Sequence, residues 1–197
     1  MRRIGIYGGT FNPPHIGHIS AAKAFLDGAK LDSLIIMPAF IPPHKEHDIS
    51  VTCNDRLEMC RAAFGNIPKI QVSDLEISRG GKSYTYLTLE ELTSDDIELY
   101  FLCGTDMILT LDKWKNPEVI FSLARICYIR RENDNHITDL ISEKCNDYYT
   151  VYGANVIPID ADVIEISSSE IRNDLSGHAQ YLTEAVIEYI RRAGLYK

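Results

Sequence analysis

The 197-residue sequence has no apolar run approaching the ~20 residues that a membrane-spanning helix needs. Its first glycines follow Met1-Arg2-Arg3-Ile4 too soon for a signal-peptide core. The expectation is a soluble, cytoplasmic protein with no membrane partner. Basic residues are in deficit, since 20 Lys and Arg against 28 Asp and Glu leave a formal net charge of −8. Such a chain lacks the basic face that releases counterions from duplex nucleic acid, so no nucleic-acid partner is expected. Positive charge for any polyanion must then be local. Disulfide chemistry is also poorly provided for: the five cysteines are odd in number and contain no C-x-x-C pair. Four of Cys53, Cys60, Cys103, Cys127 and Cys145 fall in apolar periodic segments, where cysteine acts as a small hydrophobe. That usage suits a reducing compartment.

No repeat, low-complexity tract or long linker divides the chain. Its length fits one domain over residues 1–197, with a C-terminal helical part of about residues 167–197 packed on it. Short apolar runs alternate with amphipathic stretches. Ile4-Gly5-Ile6-Tyr7, Leu34-Ile35-Ile36-Met37, Ile70-Gln71-Val72, Ile97–Leu102, Arg125–Ile129 and Val156-Ile157-Pro158 read as strands. Helical spacing joins Ile16, Ile19, Ala22 and Leu26, and again Cys53, Leu57, Cys60 and Phe64, with Thr52 as N-cap and Gly65 as stop. Further helices are read at Tyr86, Leu89 and Leu92; from the N-cap and first-turn pair Asn116-Pro117; at Ile137, Leu140, Ile141 and Cys145; and at Leu182, Val186, Ile190 and Ala193. Strands alternating with helices predict a Rossmann-like, doubly wound α/β fold. Its sheet would be mostly parallel, five- to six-stranded, with helices on both faces. Ligands of such sheets sit beyond the carboxyl ends of the strands, where strand order reverses.

The first such loop reads Gly8-Gly9-Thr10-Phe11-Asn12-Pro13-Pro14-His15-Ile16-Gly17-His18. It fails the dinucleotide pattern G-x-G-x-x-G, and Gly81-Lys82-Ser83 is no Walker A loop because Glu76 stands where the first glycine is required. Two glycines permit close backbone approach, and a helix N-terminus just beyond favours an anion such as phosphate. His15 and His18 are three apart and can project to one side of the first turn, where imidazoles donate to phosphoryl oxygens. A turn-capping His15 with a surface His18 is the plainer alternative. A zinc pair lacks an obvious third ligand. Elsewhere, Pro42-Pro43-His44-Lys45 places local positive charge on a stiff loop. Trp114, the single tryptophan, offers a flat face for stacking or for the core. Thr85 and Asp106 stand where helix starts would use an N-cap and a first-turn acid. In Ile166-Ser167-Ser168-Ser169-Glu170-Ile171-Arg172, Ser167 and Glu170 form a capping box that leaves the Ser168 and Ser169 hydroxyls, with Arg172 one turn in.

The first loop resembles the signature of the nucleotidyltransferases that share H-x-G-H with class I aminoacyl-tRNA synthetases. With the P-P-H-K string, Tyr84-Thr85 in Y-T-x-x-T, Gly104-Thr105-Asp106 with Leu111…Trp114, and I-S-S-x-x-I-R, residues 3–196 resemble bacterial nicotinate-nucleotide adenylyltransferases. The resemblance implies AMP transfer from ATP to nicotinate mononucleotide, giving deamido-NAD and pyrophosphate. It implies that His15, His18 and Lys45 are catalytic. Gly8, Gly9, Thr10, Phe11, Gly104, Asp106, Ile166, Ser168, Ser169 and Arg172 would join both histidines at ATP. His44, Lys45, Tyr84, Thr85, Asp106 and Trp114 would hold the acceptor. Mg²⁺ would be carried by substrate phosphates, with no metal held by the protein itself. Three positions depart from the pattern: Asn12 for the commoner aspartate, Ser169 for threonine and Thr183 for proline. Nicotinamide mononucleotide and phosphopantetheine stand as alternative acceptors, and an ATP-binding module without turnover as the alternative class. The sequence is compatible with a monomer or a homo-oligomer.

Overall fold

Ile6 and Tyr7 point to opposite faces of the first strand and both are buried. A strand that is apolar on both sides belongs in the interior of a parallel sheet covered by helices on each face. The computed structural model describes residues 1–43, 51–129, 135–162 and 164–196, so the expectations for His44, Lys45, Arg130 and Arg131 lie outside the described residues. Among these, six strands form one sheet: β1 (Arg2–Gly9), β2 (Ser33–Pro38), β3 (Ile70–Val72), β4 (Ile97–Gly104), β5 (Ala124–Ile129) and β6 (Ile157–Ile159). Their order is β3-β2-β1-β4-β5-β6, and every pairing is parallel. The helices are α1 (Ile16–Gly28), α2 (Cys53–Phe64), α3 (Leu75–Arg79), α4 (Thr85–Leu92), α5 (Thr105–Ile108), α6 (Pro117–Leu123), α7 (Asn135–Tyr152), α8 (Ser168–Asn173) and α9 (Glu184–Ala193).

Two hydrophobic clusters make three layers. Tyr7, Phe25, Ile36, Phe64, Ile171 and Ile190 unite one sheet face with α1, α2, α8 and α9. Ile6, Met37, Leu89, Ile108, Phe121 and Tyr148 unite the other with α4, α5, α6 and α7. The doubly wound α/β expectation therefore holds, with the sheet wholly parallel. The sequence reading missed α3, which at five residues is shorter than the window over which a 3.6-residue period shows itself, whereas α5 begins where Asp106 was read as a first-turn acid.

Helix ends explain several local choices. Thr52 Oγ1 accepts the Asp55 N–H at 3.1 Å, and the Asp55 carboxylate accepts the Thr52 N–H at 3.1 Å, so α2 starts as its sequence predicts. Gly65 stops α2 without a left-handed turn: its φ is −61°, and an added Cβ would sit 2.5 Å from the Arg61 carbonyl oxygen. Asn116 does precede Pro117 at the start of α6, but its side chain makes no cap bond. Instead its backbone adopts the left-handed conformation, φ 52°. Thr183 Oγ1 accepts the Val186 N–H at 3.4 Å, so threonine starts α9 by capping it.

Candidate active site

β1 and β4 are neighbours, but the chain leaves β1 toward β2 and leaves β4 toward β5. Their carboxyl ends thus open the crevice that a reversal of strand order creates. Two cavities occupy it. One of about 430 Å³ is lined by His15, His18, Ser168 and Arg172 among others. The other, about 360 Å³, is lined by Tyr84, Thr85, Asp106 and Trp114 among others. Gly8, Gly9, Thr10, Pro42, Gly104 and Met107 line both, so the cavities meet along the β1–β4 seam.

The first cavity begins with a tight bend. Phe11 has φ 50°, a left-handed conformation rare for a bulky residue. Its ring is buried edge-on against Tyr7, His18 and Phe64 at centroid distances of 5.4, 5.1 and 6.1 Å, which holds the bend. Gly9 is required beneath it, since a Cβ there would lie 2.9 Å from the Phe11 ring. His15 precedes α1 and His18 lies in its first turn, with their ring centroids 3.7 Å apart. Gly17 between them leaves space for the His15 ring; a Cβ would come within 3.0 Å of its Nδ1. His18 Nδ1 accepts the His15 backbone N–H at 3.2 Å. In the neutral imidazole that bond puts the proton on Nε2, making Nε2–H the ring's donor.

The serine segment closes the same cavity from 155 residues away. Ser167 and Glu170 form the expected capping box, with the Ser167 N–H donating to the Glu170 carboxylate at 2.8 Å. Ser168 Oγ donates to the Pro13 carbonyl oxygen at 2.9 Å. Arg172 Nη1 donates to the Asn12 carbonyl oxygen at 2.7 Å and Nη2 to Ser169 Oγ at 3.1 Å. Asn12 Oδ1 in turn accepts the Tyr196 hydroxyl. Gly8, Gly9, Thr10, Phe11, Gly104 and Ile166 also line this cavity, whereas Asp106, expected at both substrates, lines only the second.

In the second cavity α4 starts at Thr85, with Tyr84 as its cap residue, so Thr85 is not itself the N-cap. Trp114 follows a 3-10 turn, Leu111–Lys113, and sets its ring at 75° to Phe101. That turn is pinned to α7 by Lys144 Nζ, which donates to Asp112 at 2.8 Å. Two buried ionisable residues were not site candidates in the sequence reading. Glu76, on α3, accepts the Thr88 hydroxyl at 2.6 Å and lines this cavity. Burial pushes its carboxyl above the ordinary range, against the opposing bonds from Thr88 and Ser83 and the charge of Arg79. Arg56, on α2, is only 4% exposed and lines the first cavity. Each faces inward from its helix, Glu76 with Arg79 at 3.9 Å beside it, and no local string of residues announces either.

Burial raises the thiol pKa of Cys60 and Cys103, and pushes that of Cys127 up to about 12, so all three act as apolar filler. Among the described residues no group of three or more His, Cys, Asp or Glu side chains could hold a metal ion. No helix among them is long and apolar enough to cross a membrane.

His15 and His18 thus stand in the loop at the reversal point of a wholly parallel sheet. A cytidylyltransferase-like family model matches residues 6–174. A probable nicotinate-nucleotide adenylyltransferase of Desulfatibacillum aliphaticivorans is 36% identical over 98% of this chain and 99% of its own. One from Lactiplantibacillus plantarum is 37% identical over 100% of this chain and 89% of its own. The chain belongs to the nicotinate-nucleotide adenylyltransferase family. The fold is shared with Plasmodium falciparum nicotinic acid mononucleotide adenylyltransferase complexed with NaAD, at TM-score 0.75 and 22% identity, covering 100% of this chain and 98% of that one.

Proposed function

We propose that this chain transfers the AMP moiety of ATP to nicotinate mononucleotide, forming deamido-NAD and pyrophosphate in NAD biosynthesis in the cytoplasm. The observation that carries the reading is the pair of cavities sharing one glycine-lined seam. One is walled by imidazoles, serines and an arginine, as a triphosphate requires; the other has an aromatic wall suited to a pyridine ring. A phosphate oxygen of the mononucleotide attacks the α-phosphorus of ATP in line, the bond to the β-phosphate bridging oxygen breaks, and pyrophosphate leaves. The nucleophile is already an anion and needs no general base, so the protein's work is alignment and charge stabilisation.

His18 donates from Nε2 to the charge that develops at the α-phosphate, with His15 beside it on the phosphates. Ser168, Ser169 and Arg172 hold the departing pyrophosphate, and Lys45 screens the approach of two anions. Gly8, Gly9, Thr10 and Phe11 shape the nucleotide side. Tyr84, Thr85, Asp106 and Trp114, with His44, serve the acceptor. The first cavity is lined by imidazole, hydroxyl, guanidinium and backbone groups with two carboxylates, Asp162 and Glu165, and Mg²⁺ would enter it carried by the phosphates. Bound so, the ion neutralises phosphate charge.

The test is pyrophosphate release by the purified protein with ATP and each of nicotinate mononucleotide, nicotinamide mononucleotide and phosphopantetheine. Turnover is expected with the first and at most weakly with the others. ATP binding with no product from any acceptor would leave a nucleotide-binding module instead.

A further inference from the structure

Arg56 is an unusual object in this acidic chain. Among the described residues no carboxylate lies within ion-pair distance of it, although its guanidinium is almost wholly buried. Burying a guanidinium is costly, and burial lowers its pKa accordingly. Two backbone carbonyls accept from it. Nη1 donates to the Thr10 carbonyl oxygen at 2.9 Å and Nη2 to that of Phe40 at 3.0 Å. Thr10 follows β1 and Phe40 follows β2, so one rigid fork spans the exits of two adjacent strands.

The Phe40 peptide is held from its other side as well. Its N–H donates to Ser83 Oγ at 2.9 Å, just before α4 and in the wall of the second cavity. The preceding residue, Ala39, donates its N–H to the Gly9 carbonyl oxygen at 2.9 Å. Arg56 faces the first cavity and Ser83 the second, and the peptide they share leads to Pro42, which lines both.

We propose that Arg56 is a positioning residue for adenylyl transfer: its two-pronged bond fixes the Thr10 and Phe40 strand exits relative to one another, and with them the separation at which the two substrates meet. The proposal rests on the reaction assigned above. Two of the five N–H donors of Arg56 engage these carbonyls, and it is through them that the side chain acts on the backbone. Lysine would keep the charge but cannot span both carbonyls with the same planar fork.

The test is a double-mutant cycle on the full-length protein with Arg56→Lys and Ser83→Ala, measuring kcat and the KM of each substrate. Misplacement of reacting groups acts on kcat, by up to about 100-fold for roughly 1 Å. R56K is expected to lower kcat about 10- to 100-fold while the KM for ATP stays within about threefold. S83A is expected to lower kcat by about three- to tenfold, and the double variant by less than the product of the two, because both act on the Phe40 peptide. Amide hydrogen exchange at Ala39 and Phe40 in R56K, without nucleotide, should quicken about tenfold or more while central-strand amides are unchanged.

Near-normal kcat in R56K, multiplicative losses, or unaltered exchange would each overturn the proposal. So would a loss in R56Q that R56K does not share, which would assign Arg56 a purely electrostatic role. Should R56K fail to fold, S83A decides: kcat within twofold of the parent would overturn the proposal. If the parent protein makes no product from nicotinate mononucleotide, the functional reading fails, while the exchange experiment still tests the fork.

Discussion

The two cavities at the β1–β4 seam are built by different means. The first cavity, proposed for the triphosphate, draws most of its polar groups from two contiguous strings, residues 8–18 and 166–172, joined by Ser168 to Pro13 and by Arg172 to Asn12. The second, proposed for the acceptor, is assembled from short pieces: α3, the start of α4, α5 and the turn before Trp114, with α3 bonded to α4 through Glu76 and Thr88 and the turn bonded to α7 through Asp112 and Lys144. A site that stabilises transition-state charge needs a few donors at fixed positions along one loop. A site that selects a ring needs walls from several directions.

If that division is right, substitutions should separate cleanly. His18→Ala removes the donor aimed at developing charge and should lower kcat on the order of 100- to 1000-fold at saturating ATP. A variant near full turnover would take His18 out of the mechanism. Arg172→Ala removes a charged donor and the brace on Asn12, and the KM for ATP should rise roughly 10- to 100-fold. Steady-state kinetics with each substrate varied will check this, and an equal rise in the acceptor KM would blur the two sides. Trp114→Ala should raise the acceptor KM roughly tenfold, from lost stacking and buried area, and leave the KM for ATP alone.

The smallest effect concerns Glu76. Its folded-state carboxyl pKa is raised, chiefly by burial, so the fold binds that proton more tightly than the unfolded chain does. The resulting stabilisation is complete below the ordinary glutamate range and is lost as pH rises through the raised value. Glu76→Gln should therefore gain on the parent protein as pH rises from about 4 to about 8 in chemical denaturation, with little change in the acceptor KM. A stability difference independent of pH would mean that Glu76 binds its proton equally in the folded and unfolded chains.

The contrast between the sides also explains what was legible beforehand. Strands such as Leu34–Met37 and Leu99–Leu102 announce themselves because burial on both faces demands continuous apolar runs. The histidine loop and the capping box at Ser167 are legible because their geometry is set within a few residues. Trp114 and Thr85 entered as candidates mainly through resemblance, since neither residue type nor spacing separates a ligand-facing ring from a packed one. Glu76 and Arg56 were not site candidates. Charged residues are normally read as the solvent face of a helix, and only the surrounding chain shows that these two point inward.

The order of amino acids determined the alternation of buried strands with helices, and with it a parallel sheet whose ligands bind at one end. It also determined a local loop with glycines at the close approaches and imidazoles at one helix start. Tertiary structure alone decided that residues 12–13 and 168–172 share a cavity, that Asp106 lines the other one, and that Arg56 bridges two strand exits. The physical reason is range. Backbone propensity and periodicity act over a few residues, whereas convergence at the end of a sheet follows from the order in which strands pair.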